Sequence, residues 1–166
     1  TPGAAEYSNL IWAHSNGYLN INADELTIKG NFEHRGNYYL YGKPSKGTRI
    51  NLYGDLVLEG NNDHDRINQA TVVNLVGGSQ QNIKQIGLSG KITTHIEVNK
   101  TGGTVTMSGQ IATNCDVIVN SGNVVTSTGF RLSSSGANSS ISNIKFPLTT
   151  RIDNLQVNHS MKLLSD

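Results

Sequence analysis

The chain has 166 residues, enough for one domain with a real core, of which 36% are hydrophobic and 15% charged, with a formal net charge of +1. No Lys/Arg block is present to neutralise a run of phosphates, which argues against a nucleic-acid or membrane-surface partner, and no stretch approaches the ~18 apolar residues of a transmembrane helix. The single cysteine, Cys115, rules out an intrachain disulfide framework; next to Val117, Ile118 and Val119 it reads as a small buried thiol.

Gly, Asn, Ser and Thr fill the composition, while Val, Ile, Leu and Thr run throughout, as expected of an all-β chain with many turns. In chain order, residues 1–18 carry one apolar cluster, Leu10-Ile11-Trp12, and read as an N-terminal cap or an imperfect first coil. From residue 19 a short strand pattern recurs as Leu19-Asn-Ile21, Ile50-Asn-Leu52, Val73-Asn-Leu75, Ile96-Glu-Val98 and Val117-Ile-Val119, with later copies at 141–144 and 155–157. A second pattern ends in glycine: Leu26-Thr-Ile28-Lys-Gly30, Leu56-Val-Leu58-Glu-Gly60, Ile86-Gly-Leu88-Ser-Gly90 and Val105-Thr-Met107-Ser-Gly109. Residues 31–49 and 61–70 read as loop insertions.

Such period-2 strands, separated by Gly, Asn and Ser and repeating about every 20 residues, predict a single-stranded parallel β-helix, or β-solenoid, over 19–166. One coil cannot bury its apolar side chains alone; each is covered by the next, about 4.8 Å along the axis. Ile21, Leu52, Leu75, Val98 and Val119 are then expected in one inward stack, and Ile28, Leu58, Leu88 and Met107 in another. Asn20, Asn51 and Asn74 fall between inward residues and are expected to form an outward ladder. A longer repeat pairs Asn82-Ile-Lys84 with Asn143-Ile-Lys145, and Val98-Asn99 with Val157-Asn158, so the solenoid is expected to continue beyond Asp166.

The segment from Asn74 to Leu132, with its Gly-Gly-Ser-Gln-Gln-Asn-Ile, Ile-Glu-Val-Asn and Val-Asn-Ser-Gly steps, resembles the repeats of very large surface proteins of Bacteroidetes-type bacteria and related adhesins. Leu26 to Phe32 resembles their Leu-Thr-Ile-x-Gly-Asn-Phe step. The resemblance implies a β-helix, export to the cell surface or medium, and a role in attachment or as a stalk, and it transfers no catalytic residue.

Three chemistries are open to the residues themselves. Tyr38, Tyr39, Tyr41 and Tyr53, flanked by His34 and Arg35, could present flat amphipathic rings to a glycan or a partner protein. Asn61, Asp63 and Asp65 place oxygen donors close enough for Ca²⁺, although the run matches no known calcium loop. Asp55, Glu59 and Glu97 would serve a polysaccharide lyase, hydrolase or tail-spike depolymerase if they shared a face. The favoured reading is a non-enzymatic structural or adhesive repeat, secreted or on the cell surface, with no required cofactor. A carbohydrate-active β-helix and an inert spacer are the alternatives.

Overall fold

The computed structural model describes residues 5–14, 18–36, 39–43, 47–59, 71–86, 95–113, 116–134, 142–147, 150, 154–157 and 161–164. The strands, in chain order, fall into successive coils. The first coil holds β1 (Ala5–Tyr7), β2 (Leu10–His14) and β3 (Tyr18–Asn20); the next holds β4 (Glu25–Ile28), β5 (Phe32–Gly36) and β6 (Tyr39–Tyr41). Then come β7 (Arg49–Leu52) with β8 (Leu56–Glu59), and β9 (Val72–Gly77) with β10 (Gln81–Ile86). The long bent strand β11 (His95–Ser108) is followed by β12 (Gln110–Thr113), and β13 (Val117–Thr126) by β14 (Arg131–Ser134). The last are β15 (Ser142–Lys145), β16 (Asn154–Val157) and β17 (Met161–Leu164).

Every pairing is parallel, and each strand pairs with its counterpart in the neighbouring coil. The chain is an all-β parallel β-solenoid. Ladder one runs β1-β4-β7-β9-β11-β13-β15-β17, and ladder two runs β2-β5-β8-β10 and on into the second halves of β11 and β13. A third side carries β3-β6 and, further along, β12-β14-β16. Equivalent residues of ladder one are Ala5, Leu26, Ile50, Val73, Ile96, Val117, Ile144 and Leu163, so successive coils take 19 to 27 residues.

The core is two sets of inward stacks. On ladder one, Leu26, Ile50, Val73, Ile96 and Val117 lie beside Ile28, Leu52, Leu75, Val98 and Val119, all buried. On ladder two the stack is Phe32, Leu56, Ile83 and Met107, each fully buried. Parallel in-register pairing puts like residues directly above one another, so a strand that alternates apolar and polar residues builds a continuous dry seam.

Three expectations are corrected. Ile28, not Ile21, stacks on Leu52, because Leu26-Thr-Ile28 belongs to ladder one whereas Leu56-Val-Leu58 belongs to ladder two; the two glycine-ended motifs are not equivalent. Residues 31–49 are not an insertion, since they hold β5 and β6, which pair with β2 and β3. Of the cap and first-coil readings of residues 1–18, the described strands fit the first coil: β1 and β2 pair in register with β4 and β5, Ala5 and Tyr7 taking the places of Leu26 and Ile28. The longer repeat has no structural counterpart, because Asn82–Lys84 lies on ladder two and Asn143–Lys145 on ladder one. The 61–70 segment and Leu88 lie outside the described residues.

Polar side chains bind the coils along the axis. Asn74 donates to Asn51 Oδ1 at 2.7 Å, Asn99 to Asn74 Oδ1 at 2.7 Å, and Asn120 to Asn99 Oδ1 at 3.1 Å. Asn51 donates in turn to Glu25. The ladder therefore differs in membership from the expected one: Asn20 sits in β3 beside Tyr41, while Asn99 and Asn120 extend the line. Asn74 is 5% exposed although it alternates with inward residues, and the Arg49–Glu97 ion pair (2.7 Å) connects the coils on either side of it. Asn74→Ala should cost about 1–2 kcal/mol, since it leaves two half-buried amide partners, on Asn51 and Asn99, unmatched. Arg49→Ala, which removes a partly exposed ion pair, should cost at most about 1 kcal/mol. Urea unfolding of the two variants checks that ranking.

A second line of bonds follows the corner between ladders one and two. Asn9 Oδ1 accepts from the backbone N–H of Asn31 (2.7 Å), Asn31 Oδ1 from Asp55 N–H (2.9 Å), and Asp55 Oδ1 from Asn82 N–H (2.8 Å). Each side chain satisfies a main-chain donor that the turn takes out of the sheet, one coil further on.

Candidate functional site

The structure does not bring the residues singled out from the sequence together. Tyr39 and Tyr41 are on β6, in register with Tyr18 and Asn20 on the third side of the coil. Tyr53 is at the corner between ladders one and two, after β7. His34 is 1% exposed, in register with Trp12 and Leu58 inside the coil, and so is removed from any binding surface. The cause is strand alternation: Phe32 points inward, and so does the residue two positions on. Arg35 points outward and bridges Glu33 in its own strand and Glu59 in the next coil. Tyr38, Asn61, Asp63, Asp65 and Cys115 lie outside the described residues.

Tyr53 is 39% exposed, but its ring is not an open platform. Lys29, the residue in register with it one coil earlier, holds its ammonium 4.3 Å from the ring centroid. Gly77, one coil later, adopts φ +89°, and a Cβ there would lie 3.0 Å from Tyr53 Cδ1. The glycine thus serves both the left-handed turn and the close approach of the ring. A cation–π contact of this kind contributes about 0.5–1 kcal/mol at an exposed site.

The carboxylates are dispersed as well. Glu97 is on ladder one and engaged by Arg49 and Asn99; Glu59 is on ladder two beside Arg35; Asp55 is in the corner, accepting from Asn82 through both oxygens. They do not share a face, and each already has a hydrogen-bond or ion-pair partner in another coil. Among the described residues no group of three or more His, Cys, Asp and Glu could hold a metal ion. No helix among them is long and apolar enough to cross a membrane.

The most unusual polar cluster was not singled out from the sequence. Lys100 is 4% exposed and Gln81 is fully buried. The Lys100 ammonium donates to Ser79 O (2.6 Å), Val76 O (3.3 Å) and Gln81 Oε1. Gln81 Nε2 donates to Leu52 O (2.9 Å) and Gly54 O (2.7 Å). All three partners of the ammonium are neutral oxygens, and burial pushes the Lys100 pKa down. The signal was available in the sequence: in Val98-Asn99-Lys100 the alternation that turns Val98 inward also turns Lys100 inward, and Gln81-Asn82-Ile83 does the same for Gln81.

Fold and polar geometry define a parallel β-solenoid whose described polar side chains are directed largely at neighbouring coils. No protein-family model, curated protein or solved structure matches the chain. The fold is compatible with enzymatic and non-enzymatic roles alike.

Proposed function

We propose that the chain is a non-enzymatic structural and adhesive repeat of a secreted or cell-surface protein, of the kind carried by large bacterial adhesins. The observation that carries this reading is where the polar groups go. The asparagine ladder, the corner ladder and Lys100–Gln81 join one coil to the next, and Arg49–Glu97 spans two, which stiffens the axis rather than assembling a reactive centre. A rod of this construction serves as a stalk, and the third side near β6 is the place for a glycan or protein ligand, since Tyr39 and Tyr41 occur there on one strand.

A polysaccharide panel, with and without calcium, tests the reading by scoring retained protein and newly released chain ends together. The expected result is retention without cleavage, lost in a Tyr39→Ala/Tyr41→Ala variant and kept in Tyr53→Ala. Released chain ends would overturn it in favour of a carbohydrate-active β-helix. Neither retention nor cleavage would favour an inert spacer.

A further inference from the structure

The corner that holds Lys100 has the chemistry of a cation site. Val76 O, Ser79 O and Gln81 Oε1 converge on one point, and that point is occupied by a tethered ammonium with three N–H donors for three acceptors. The carbonyls at the corner one coil earlier, Leu52 O and Gly54 O, converge in the same way and are filled by a neutral donor, Gln81 Nε2. Gly54 and Ser79 lie past the ends of β7 and β9, where the chain turns, and their carbonyls take a donor from a side chain instead. A neutral amide suffices at one corner. At the next, a full positive charge is buried, and the described acceptors of the ammonium are all neutral oxygens.

We propose that the corner between β9 and β10 is a preformed site for a primary ammonium or a small monovalent cation, with Lys100 as its resident, covalently tethered ion. Through Gln81 this ion joins three successive coils: β11 supplies the ammonium, the β9–β10 corner cradles it, and the same glutamine reaches back to the β7–β8 corner. Ser121 extends the line by donating to Lys100 O at 3.0 Å from the following coil. A cavity-forming substitution that keeps the cradle but removes the tether should leave the site open to a free cation of the same chemistry.

The experiment compares Lys100→Ala with Lys100→Met in methylammonium chloride and in tetramethylammonium chloride at equal ionic strength. Methylammonium carries the three donors; tetramethylammonium has the charge but no donor. The expected result is a methylammonium-dependent rise in the urea midpoint of Lys100→Ala, absent in tetramethylammonium. Lys100→Met, whose side chain fills the space, and the unaltered protein should show no such difference between the salts. An equal response of Lys100→Ala to both salts, or none to either, would overturn the proposal. If Lys100→Ala does not fold, reductive methylation of the unaltered protein decides: Lys100 should react roughly tenfold or more slowly than the exposed Lys84, because the caged amine reacts only on local opening. Equal rates would overturn it.

Discussion

Lys100→Met should lower stability by about 2–4 kcal/mol, because the substitution keeps the aliphatic stem but leaves the fully buried Gln81 Oε1, and the partly buried Val76 O and Ser79 O contacts, without their donor. For a chain of this size that corresponds to a fall in Tm on the order of 5–15 °C. Two effects oppose each other. Burying an ammonium among neutral oxygens is costly, as the lowered pKa records, so removing the charge relieves a penalty. Orphaning the acceptors costs more, since Gln81 is fully buried and Lys100 is only 4% exposed, so water does not readily replace the ammonium at Gln81 Oε1. The double variant Gln81→Leu/Lys100→Met should destabilise by less than the sum of the two single changes, with a coupling of about 0.5–3 kcal/mol, because each single change strands the other partner. A urea-unfolding cycle measures it.

The same lysine sets a pH dependence whose sign follows from linkage. Its folded-state pKa lies below the ordinary value of 10.5 that it regains on unfolding. Between the two values the unfolded chain binds more protons, so this group makes stability rise with pH through that alkaline window and lowers it below. The difference in unfolding free energy between the unaltered protein and Lys100→Met should carry that slope. A difference that is flat over the window, or that slopes the other way, would contradict the assignment of Lys100 to a desolvated corner.

Gly54→Ala should destabilise by about 3 kcal/mol or more, beyond the usual cost of overpacking, because the clash is with backbone. A Cβ at this position would lie 2.4 Å from both C and O of Gly30, and 2.6 Å from Asn31 Oδ1. Gly54 N–H donates to Gly30 O at 3.0 Å, so the two glycines stack at a corner where the chain of one coil rests directly on the chain of the next. Relief would require the two coils to separate, which would break the Gly54–Gly30 and Asn31–Asp55 bonds between them. Gly129 provides the contrast in surroundings: nothing lies within 4 Å of its Cβ position, and its φ is +77°. Gly129→Asn, which tolerates that conformation, should therefore be nearly neutral. Thermal unfolding of both variants separates crowding from backbone conformation.

These cases also show what was legible in the sequence. The parallel solenoid followed from period-2 strands at a near-constant spacing, since only stacking lets such short strands bury Ile50, Leu52, Val73 and Leu75. The phase did not follow. Apolar-x-apolar is the same pattern on ladders one and two, so Leu26-Thr-Ile28 aligned as readily with Leu56-Val-Leu58 as with its true neighbours Ile50-Asn-Leu52. Glycine could not break the tie, because it occurs at more than one corner. Ala5-Glu-Tyr7 was missed as a strand for a different reason: it carries little apolar signal, and its pairing with Leu26-Thr-Ile28 is set by the neighbouring coil. Of the proposed site, the inward turn of His34 was readable from Phe32 by alternation, whereas the ring of Tyr53 between Lys29 and Gly77 depends on a register that sequence spacing leaves open.

Register is therefore what the account depends on most, since the asparagine ladder, the corner bonds and the Lys100 cradle all require it. Cysteine trapping in a Cys115→Ser background tests it directly. Thr27 and Asn51 are register partners on adjacent strands, where parallel neighbours lie about 4.8 Å apart and within reach of a disulfide. Thr27→Cys/Asn51→Cys should oxidise to an intramolecular disulfide under mild conditions, while Thr27→Cys/Val57→Cys, the pair that motif alignment alone would choose, should remain reduced. Bridging of the second pair and not the first would contradict the coil assignment and everything built on it.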